Sequence, residues 1–253
     1  MPGERDDART ILRISGAERV EFLQNLVTNN LGGLSGGAVY AALLTPQGKY
    51  LADFFLVEQG DAILLDVHSD LAPGLAQRMS MYKLRADVSI EDSGLRVLRG
   101  IGDAPRGAVA DPRHPAMGWR LYGDEGGAEP ATDWDAIRVA HCIPETGTEL
   151  IPNETFILEA GFDRLNGVDF RKGCYVGQEV TARMRHKTEL RKGFRTVSID
   201  GEVPLGTEIL SDGKAAGTVH TQSGGRAIAY LRFDRIGPAM RAADAAVQAE
   251  DTV

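Results

Sequence analysis

Three apolar segments between residues 39 and 68 constrain the fold most. They read VYAALL, KYLADFFLVEQ and AILLDVH, and the sequences TPQG and GD separate them. The proline at the second position of TPQG and the glycine at its end suit a tight β-turn. Short apolar segments joined by tight turns pair as antiparallel neighbours. The sequence therefore predicts an antiparallel meander in the N-terminal half.

Helical patterns surround this meander. Val20, Leu23, Leu26 and Val27 recur at helical spacing and predict an amphipathic helix over residues 16–30. Further helices are predicted over residues 71–84, over 134–142 and from residue 178 onward. After residue 193 the segments FRTVSI, TEIL, AAGTVHT and AIAYLRF alternate with glycines and predict a small β-barrel or sandwich. The expected class is α+β, with an all-β C-terminal domain.

The composition places the chain among globular proteins. It has 253 residues, of which 43% are apolar and 25% are charged. No apolar run approaches the roughly 20 residues that a membrane span needs, and the start MPGERDDART lacks the pattern of a signal peptide. Two cysteines, Cys142 and Cys174, do not make a disulfide framework. We expect a cytoplasmic protein with free thiols, and we expect Cys142 to lie in the core.

Charge is distributed unevenly along the chain. The net charge is −8, yet residues 171–195 contain eight Lys or Arg and two acidic residues, a local charge of +6. The overall acidity argues against general nucleic-acid coating, so we do not expect direct nucleic-acid binding. The basic segment predicts either a localised anionic partner or a solvated basic face.

The stretch RKGCYVGQEVTARM, residues 171–184, is the strongest candidate for chemistry. Gly173 and Gly177 flank Cys174 and permit backbone geometry that brings the chain close to a ligand. Positive charge on Arg171 and Lys172 favours the thiolate, which is the reactive form of cysteine. A buried structural thiol beside a turn is the alternative, and the residues alone leave both open.

Outside Cys174 and its basic neighbours, the sequence offers few candidate residues for binding or catalysis. Gln178 and Glu179 offer an amide and a carboxylate that suit the donor-rich edge of a heterocycle such as a pterin, or they begin a helix. The five histidines show no zinc-type spacing to either cysteine, so we expect no structural metal site. The glycine-rich stretches lack the residues of a phosphate-binding loop.

The segment KGCYVGQE, residues 172–179, preceded by IPNETFILEAGFDRLNGVDF, resembles the signature of the YgfZ family. This family comprises folate-binding relatives of the glycine-cleavage T-protein and includes a mitochondrial iron–sulfur assembly factor. FLQNLVTNNL, LLTPQGKYLADFFL and MYKLRADVSIED also resemble family segments. The resemblance implies the T-protein fold, with two interlocked α+β parts over residues 1–188, a C-terminal β-barrel over 189–253, and a central hole for tetrahydrofolate.

The resemblance also implies a set of site residues. Cys174, Lys172 and Asp70 are the candidate catalytic residues, where Asp70 stands for the aspartate that T-proteins carry after a strand end. The cofactor would be tetrahydrofolate or a one-carbon derivative of it. The candidate residues for binding it are Gln24, Asn25, Thr28, Gly173, Tyr175, Gly177, Gln178 and Glu179.

The function implied is an accessory role in assembly or repair of iron–sulfur clusters, with enzymes including tRNA-modifying radical enzymes as clients. The expected partners are reduced folate and iron–sulfur enzymes or assembly proteins. A folate-dependent aminomethyltransferase is one alternative, although the strand end LLDVHSD and the segment HPAMGWRLYGDEGG depart from the T-protein pattern. A non-catalytic interaction module that uses the basic strip 171–195 is the other.

Overall fold

The computed structural model describes residues 3–124, 126–187 and 189–250, with the side chain of Lys187 left out. The chain forms two compact units. The first comprises Met1–Ala131, Pro152–Glu154 and Asp163–Val180. The second comprises Thr132–Ile151, Thr155–Phe162 and Thr181–Val253. Each unit is built from several stretches of the chain, so residues far apart in sequence meet within it.

A five-stranded antiparallel sheet forms the centre of the first unit, in the order β3-β4-β5-β2-β6. The predicted meander is confirmed, since its three segments pair as consecutive neighbours. The strands are β2 (Arg9–Ser15), β3 (Val39–Leu44), β4 (Tyr50–Gln59), β5 (Ala62–His68) and β6 (Ser89–Asp92). Nearly all of β3, β4 and β5 is buried, so both faces of the sheet are covered.

One face of this sheet carries the apolar core. Leu43, Phe54 and Leu65 pack there against α1 (Arg19–Gln24) and α2 (Ala72–Lys83). The predicted helix over 16–30 is wrong in length, because α1 ends at Gln24 and a 3-10 helix follows over Leu31–Gly36. The chain leaves the helix because the Thr28 main chain pairs with Ala42 of β3 instead.

The other face of the sheet carries a buried layer of charged and aromatic side chains. Asp66 is fully buried and accepts hydrogen bonds from Arg9 and Arg120, at 2.6 and 3.0 Å, and from the Tyr122 hydroxyl at 2.9 Å. The guanidinium of Arg120 lies 4.2 Å from the centre of the Phe55 ring. These arginines hold the pKa of Asp66 below its usual value despite its burial.

Arg120 and Tyr122 belong to the second sheet of this unit, which has the strand order β1-β7-β9-β8. The segment WRLYG forms β9 of this sheet. The strands are β1 (Glu4–Arg5), β7 (Arg96–Gly100), β8 (Val109–Ala110) and β9 (Trp119–Gly123). The polar layer therefore joins the two sheets of the first unit.

The second unit contains a closed six-stranded barrel, with the order β10-β13-β12-β11-β14-β15. This confirms the predicted all-β structure after residue 193. Its strands are β10 (Lys192–Ile199), β11 (Glu208–Ser211), β12 (Lys214–Ser223), β13 (Arg226–Arg232), β14 (Met240–Ala242) and β15 (Ala245–Ala249). Small and branched apolar residues such as Val197, Val219 and Val247 fill the interior.

The stretch before the motif covers part of this barrel. Helix α3 (Trp134–Ala140) packs on β12 and β13. Its buried Arg138 binds the Glu149 carboxylate at 3.1 Å, and Glu149 accepts a hydrogen bond from the Thr221 hydroxyl of β12 at 2.6 Å. Helix α4 (Gln178–Lys187) leads into the barrel. Cys142 is buried, as predicted.

Candidate functional site

Residues 171–177 form a loop whose side chains alternate between the interior and the surface. Lys172 and Tyr175 are buried, at 7% and 8% exposure, while Gly173 and Cys174 between them are exposed. The half-buried Val176 packs against the apolar core. The loop is therefore anchored on both sides of an outward-facing thiol.

The Lys172 ammonium is the first anchor. It donates hydrogen bonds to the main-chain oxygens of Gln24 at 2.7 Å, Val27 at 2.5 Å and Asn29 at 3.0 Å. An ammonium has three N–H donors, and all three are used. The Gln24 carbonyl is the last of α1, where a helix leaves oxygens without a helical donor, and the Val27 and Asn29 carbonyls belong to the loop that follows. Lys172 thus caps a helix end that lies about 145 residues earlier in the chain.

Burial lowers the pKa of Lys172 to about 8, and the carboxylate of Asp169 partly opposes this shift. The Tyr175 ring lies over the ammonium, with its centre 5.3 Å from Nζ. The sequence predicts that the positive charge of Lys172 favours the thiolate of Cys174. In the structure that charge interacts with backbone oxygens and an aromatic ring instead. Arg171 is exposed and lies near Asp169, with 3.8 Å between Nε and Oδ1.

Gly177 is the second anchor of the loop. Its φ of +83° lies in the left-handed region, and a Cβ placed there would come within 2.6 Å of the Thr45 carbonyl oxygen and 3.1 Å of Gly48 Cα. Gly48 ends the TPQG turn, where its N–H binds the Thr45 oxygen at 2.8 Å. A Cβ on Gly48 would in turn meet Val180 at 2.8 Å. Two glycines therefore permit backbone contact between the turn and the motif.

Cys174 is an exposed free thiol. An exposed cysteine can act as a nucleophile or a metal ligand through its thiolate. In the described part of the chain, no three His, Cys, Asp or Glu side chains are grouped closely enough to hold a metal ion.

The N-terminal residues predicted to bind folate differ in whether their side chains already make hydrogen bonds within the protein. The Thr28 side chain is fully buried, donates to the Gly167 oxygen at 2.7 Å and accepts from the Ala42 N–H at 2.8 Å. The Gln24 side chain accepts from the Leu31 N–H at 2.9 Å. Both hold the loop after α1 in place, whereas Asn25 is exposed.

Sequence reasoning missed two asparagines beside the motif. Asn29 donates to the oxygens of Tyr40 and Asn166, at 2.8 and 2.6 Å. Asn166 has a left-handed φ of +55° and donates to the Pro112 oxygen at 2.9 Å. The pair joins the loop after α1 to the segment that precedes the motif. The Asn-Gly dipeptide at 166–167 was the available signal, because it is typical of a left-handed turn.

Gln178 and Glu179 open helix α4, as one of the two predicted alternatives had it. The Gln178 N–H binds the Tyr175 oxygen at 3.2 Å. Glu179 is exposed in the first turn, where a carboxylate interacts favourably with the helix dipole. Their side chains remain near the surface beside the Cys174 loop.

Asp70 lies elsewhere in the first unit, between β5 and α2. It borders a cleft of about 160 Å³ whose remaining lining is largely apolar. The lining residues are Leu43, Leu51, Ala52, Asp70, Leu71, Gly74, Leu75 and Arg78. The structure thus gathers Lys172, Tyr175 and Gly177 with Gln24 around the Cys174 loop and places Asp70 at a separate cleft.

Comparison with known proteins places the chain in a family. Residues 191–252 match the family model for the CAF17 C-terminal β-barrel domain. The mouse iron–sulfur cluster assembly factor IBA57, mitochondrial, is 32% identical over 92% of this chain and 78% of its own length. The chain belongs to the IBA57 family. The human IBA57 protein is likewise 32% identical, with the same two coverages.

The fold of this IBA57-family chain is that of a T-protein, as predicted. Glycine cleavage system aminomethyltransferase T from Bartonella henselae superposes with a TM-score of 0.74, over 96% of this chain and 82% of that one. Sequence identity between the two is 12%, so the comparison establishes architecture. None of the helices in the described part of this IBA57-family chain is long and apolar enough to cross a membrane.

Proposed function

We propose that this chain is an accessory factor for assembly or repair of iron–sulfur clusters in client enzymes, acting in the cytoplasm. The observation that carries the proposal is the exposed Cys174 on a loop anchored by Lys172 and Gly177, in a chain of the IBA57 family. A thiol held outward on a fixed backbone can meet a metal on another protein without reorganising the loop.

The chemistry requires a second molecule. Iron–sulfur clusters are held by several thiolates, commonly four, and Cys174 supplies one. Gly173 beside it is exposed and has no atom within 4 Å of the position of a Cβ, so a partner can approach the thiol closely. We infer that Cys174 is a transient thiolate ligand to the iron of a cluster that is shared with the partner.

Complementation tests this role. Wild type, Cys174→Ser and the matched buried-thiol variant Cys142→Ala are expressed in bacteria that lack their own YgfZ relative. Methylthiolated tRNA, the product of a cluster-dependent radical enzyme, is then quantified, because such tRNA-modifying enzymes are the proposed clients. Wild type and Cys142→Ala are expected to restore the product, and Cys174→Ser is not. Equal restoration by all three would contradict the role of Cys174.

A reduced folate is the cofactor that we propose for the Asp70 cleft. The apolar lining suits one aromatic ring, and the Asp70 carboxylate can accept hydrogen bonds from the donor-rich edge of a pterin. Two further observations support the choice. The motif resembles the YgfZ signature, and the chain has the T-protein fold. Bound tetrahydrofolate would supply a carrier for one-carbon units.

Several of the other residues predicted to bind folate have side chains or backbone that already contact the protein. Thr28 and Gln24 use their side-chain oxygens within the protein, and Gly177 is enclosed by the TPQG turn. We propose that Thr28, Gln24 and Gly177 fix the Cys174 loop rather than line the Asp70 cleft, and that the side chains of Asn25, Gln178 and Glu179 remain available to a ligand beside that loop.

Calorimetric titration with 5-formyltetrahydrofolate checks this. Wild type and Asp61→Asn, which changes an exposed carboxylate outside the cleft, are expected to bind alike. Asp70→Asn is expected to bind about tenfold more weakly, because a charge-assisted hydrogen bond is lost. Identical affinities for all three would exclude Asp70 from the folate site.

Folate-dependent aminomethyl transfer is the second candidate function, and the position of Asp70 at the cleft favours it. A carboxylate there could steer protonation of a one-carbon nitrogen. Transfer of the carbon of a thiol-bound aminomethyl group to tetrahydrofolate, with release of ammonia and the free thiol, would support this function over cluster assembly if it is lost in Asp70→Asn and retained in Cys174→Ser. The third alternative, an interaction module on the basic strip 171–195, predicts that Arg183→Glu abolishes complementation while Cys174→Ser does not.

A further inference from the structure

The C-terminal end of α2 presents large apolar side chains to solvent. Met81 is 62% exposed, Tyr82 is 36% exposed and Leu84, which caps the helix, is 85% exposed. Met81 and Tyr82 lie in the last turn of α2, directly before Leu84 in the chain. Few large apolar residues of the described chain are exposed, and three of them occur within these four positions.

The backbone at Leu84 is strained. Its φ is +46° and its ψ is −101°, and the Ala86 N–H binds the Lys83 oxygen at 2.7 Å. Leu84 is therefore the second residue of a type II′ turn, a position that glycine occupies readily and that L-residues with a branched side chain disfavour. Leucine here combines an unfavourable conformation with an exposed apolar side chain, and neither stabilises the fold.

The turn is nevertheless held firmly. The Lys83 ammonium donates to the Val88 oxygen at 2.7 Å, and the Val88 N–H binds the Ala86 oxygen at 2.8 Å. The Asp87 N–H binds the Glu18 carboxylate at 2.6 Å. Leu84 is thus displayed on a rigid support, which lowers the entropy that a partner must overcome to bind it.

The helical side of the turn is basic, whereas the acidic Asp87, whose N–H binds the Glu18 carboxylate, follows the turn. Residues 78–85 contain Arg78, Lys83 and Arg85 and no acidic residue. Arg78 lies one turn before Met81, and Arg85, which follows Leu84, is exposed. A complementary surface would be an apolar pocket with acidic groups at its rim.

We propose that this turn, with Met81, Tyr82, Leu84 and Arg85, is a docking surface for a protein partner that receives Leu84 in an apolar pocket with an acidic rim. The surface is small, so the contact is transient rather than permanent. The docking surface does not include Cys174, so it is independent of the role of the thiol.

Photo-crosslinking locates the partner surface. Benzoylphenylalanine replaces Leu84 in the full-length chain, inside the cells that express it naturally, and replaces Leu205 in a matched control. Leu205 is 63% exposed and holds the same position in the 204–207 turn, but with an ordinary φ. We expect a discrete adduct when the photo-reactive residue is at position 84 and none when it is at position 205. The cross-linked partner peptide should line an apolar pocket with acidic groups at its rim. Arg85→Glu should reduce the amount of adduct by at least about tenfold.

Three results would overturn the proposal: no adduct specific to position 84, an adduct between two copies of this chain, or an adduct that Arg85→Glu leaves unchanged. Loss of the adduct on adding 5-formyltetrahydrofolate would also overturn it, because the site would then bind the folate instead.

A stability measurement separates docking from a structural role. Leu84→Gly removes both the strain and the exposed side chain, so the melting temperature is expected to rise by about 3 °C. Leu205→Gly is expected to lower it, because glycine adds freedom to the unfolded chain where no strain is relieved. A lower melting temperature for Leu84→Gly would show that Leu84 stabilises the fold and would overturn the docking role.

Discussion

At the scale of single residues, Lys172 and Cys174 have opposite environments although only Gly173 separates them. The ammonium of Lys172 is enclosed by three carbonyl oxygens, whereas the thiol of Cys174 faces solvent. This arrangement suits Lys172 as an anchor, and its predicted catalytic role remains a prediction. Asp66 shows the same dependence on environment, because two arginines compensate the burial of its charge.

Replacing Lys172 by Met is expected to lower the free energy of unfolding by on the order of 3 kcal/mol. Methionine is unbranched and one atom shorter than lysine, and it leaves the carbonyls of Gln24, Val27 and Asn29 without this donor. Thermal unfolding measures the change, with the exposed Lys214→Met as the control. A variant as stable as the control would contradict the anchoring role.

Asp66 predicts a specific dependence of stability on pH. Its folded pKa is lowered, so its stabilising contribution is present above the unfolded value of about 3.9 and is lost as pH falls through the folded pKa. Asp66→Asn is therefore expected to cost on the order of 3–5 kcal/mol near neutral pH, because Arg9 and Arg120 stay buried without their counter-charge.

The difference in melting temperature between wild type and Asp66→Asn should shrink as pH falls below about 4. Asp61→Asn, at an exposed carboxylate, serves as the control at each pH. Curves for wild type and Asp66→Asn that stay parallel from pH 7 to pH 3 would refute this account of Asp66.

At the scale of elements, the motif loop, the TPQG turn and the end of α1 form one assembly. Gly177 and Gly48 allow the turn to contact the loop, and Thr28 joins the segment after α1 to β3 and to Gly167. The outward position of Cys174 is therefore a property of three packed elements rather than of the loop alone.

Gly177→Ala and Gly173→Ala test that packing within a single loop. Gly177 has a positive φ and meets the Thr45 oxygen, so alanine is expected to cost on the order of 2 kcal/mol or more and to change the rate at which Cys174 reacts with a thiol reagent. Gly173 has open space around it, so alanine there should change the melting temperature little. Equal effects of the two substitutions would disprove the packing argument.

At the scale of the whole molecule, each compact unit draws on separated stretches of the chain. The unit that contains the barrel includes residues 132–151 and 155–162. These stretches cover barrel strands: the Thr196 hydroxyl donates to the Val139 oxygen at 2.8 Å, and the Phe194 N–H binds the Glu159 oxygen at 2.9 Å. The predicted division at residues 188 and 189 remains a prediction that experiment can test.

Fragments 132–253 and 189–253 provide the test. The shorter fragment lacks the stretch that covers Phe194 and Thr221, so it is expected to bind a hydrophobic dye and to unfold at a lower temperature than the longer one. Equal stability of the two fragments would mean that residues 189–253 form an independent domain.

The sequence by itself determined the meander, the barrel and the types of residue at the motif. Period, turn chemistry and β-branched content are local properties, and each acts over a few residues. The family resemblance likewise rests on short contiguous segments, KGCYVGQE above all, and it implies the T-protein fold that the comparison shows.

Only the tertiary structure decided the length of α1, the enclosure of Lys172 and Thr28, and the strain at Leu84. Helical periodicity continues to Val27 and predicts a helix to residue 30, yet the Thr28 N–H binds the Ala42 oxygen and the Thr28 oxygen accepts the Asp169 N–H from 141 residues later. Buried polar groups must find partners wherever the fold provides them, and those partners come from distant segments. No local pattern contains that information, because hydrogen bonds across the fold depend on which segments meet.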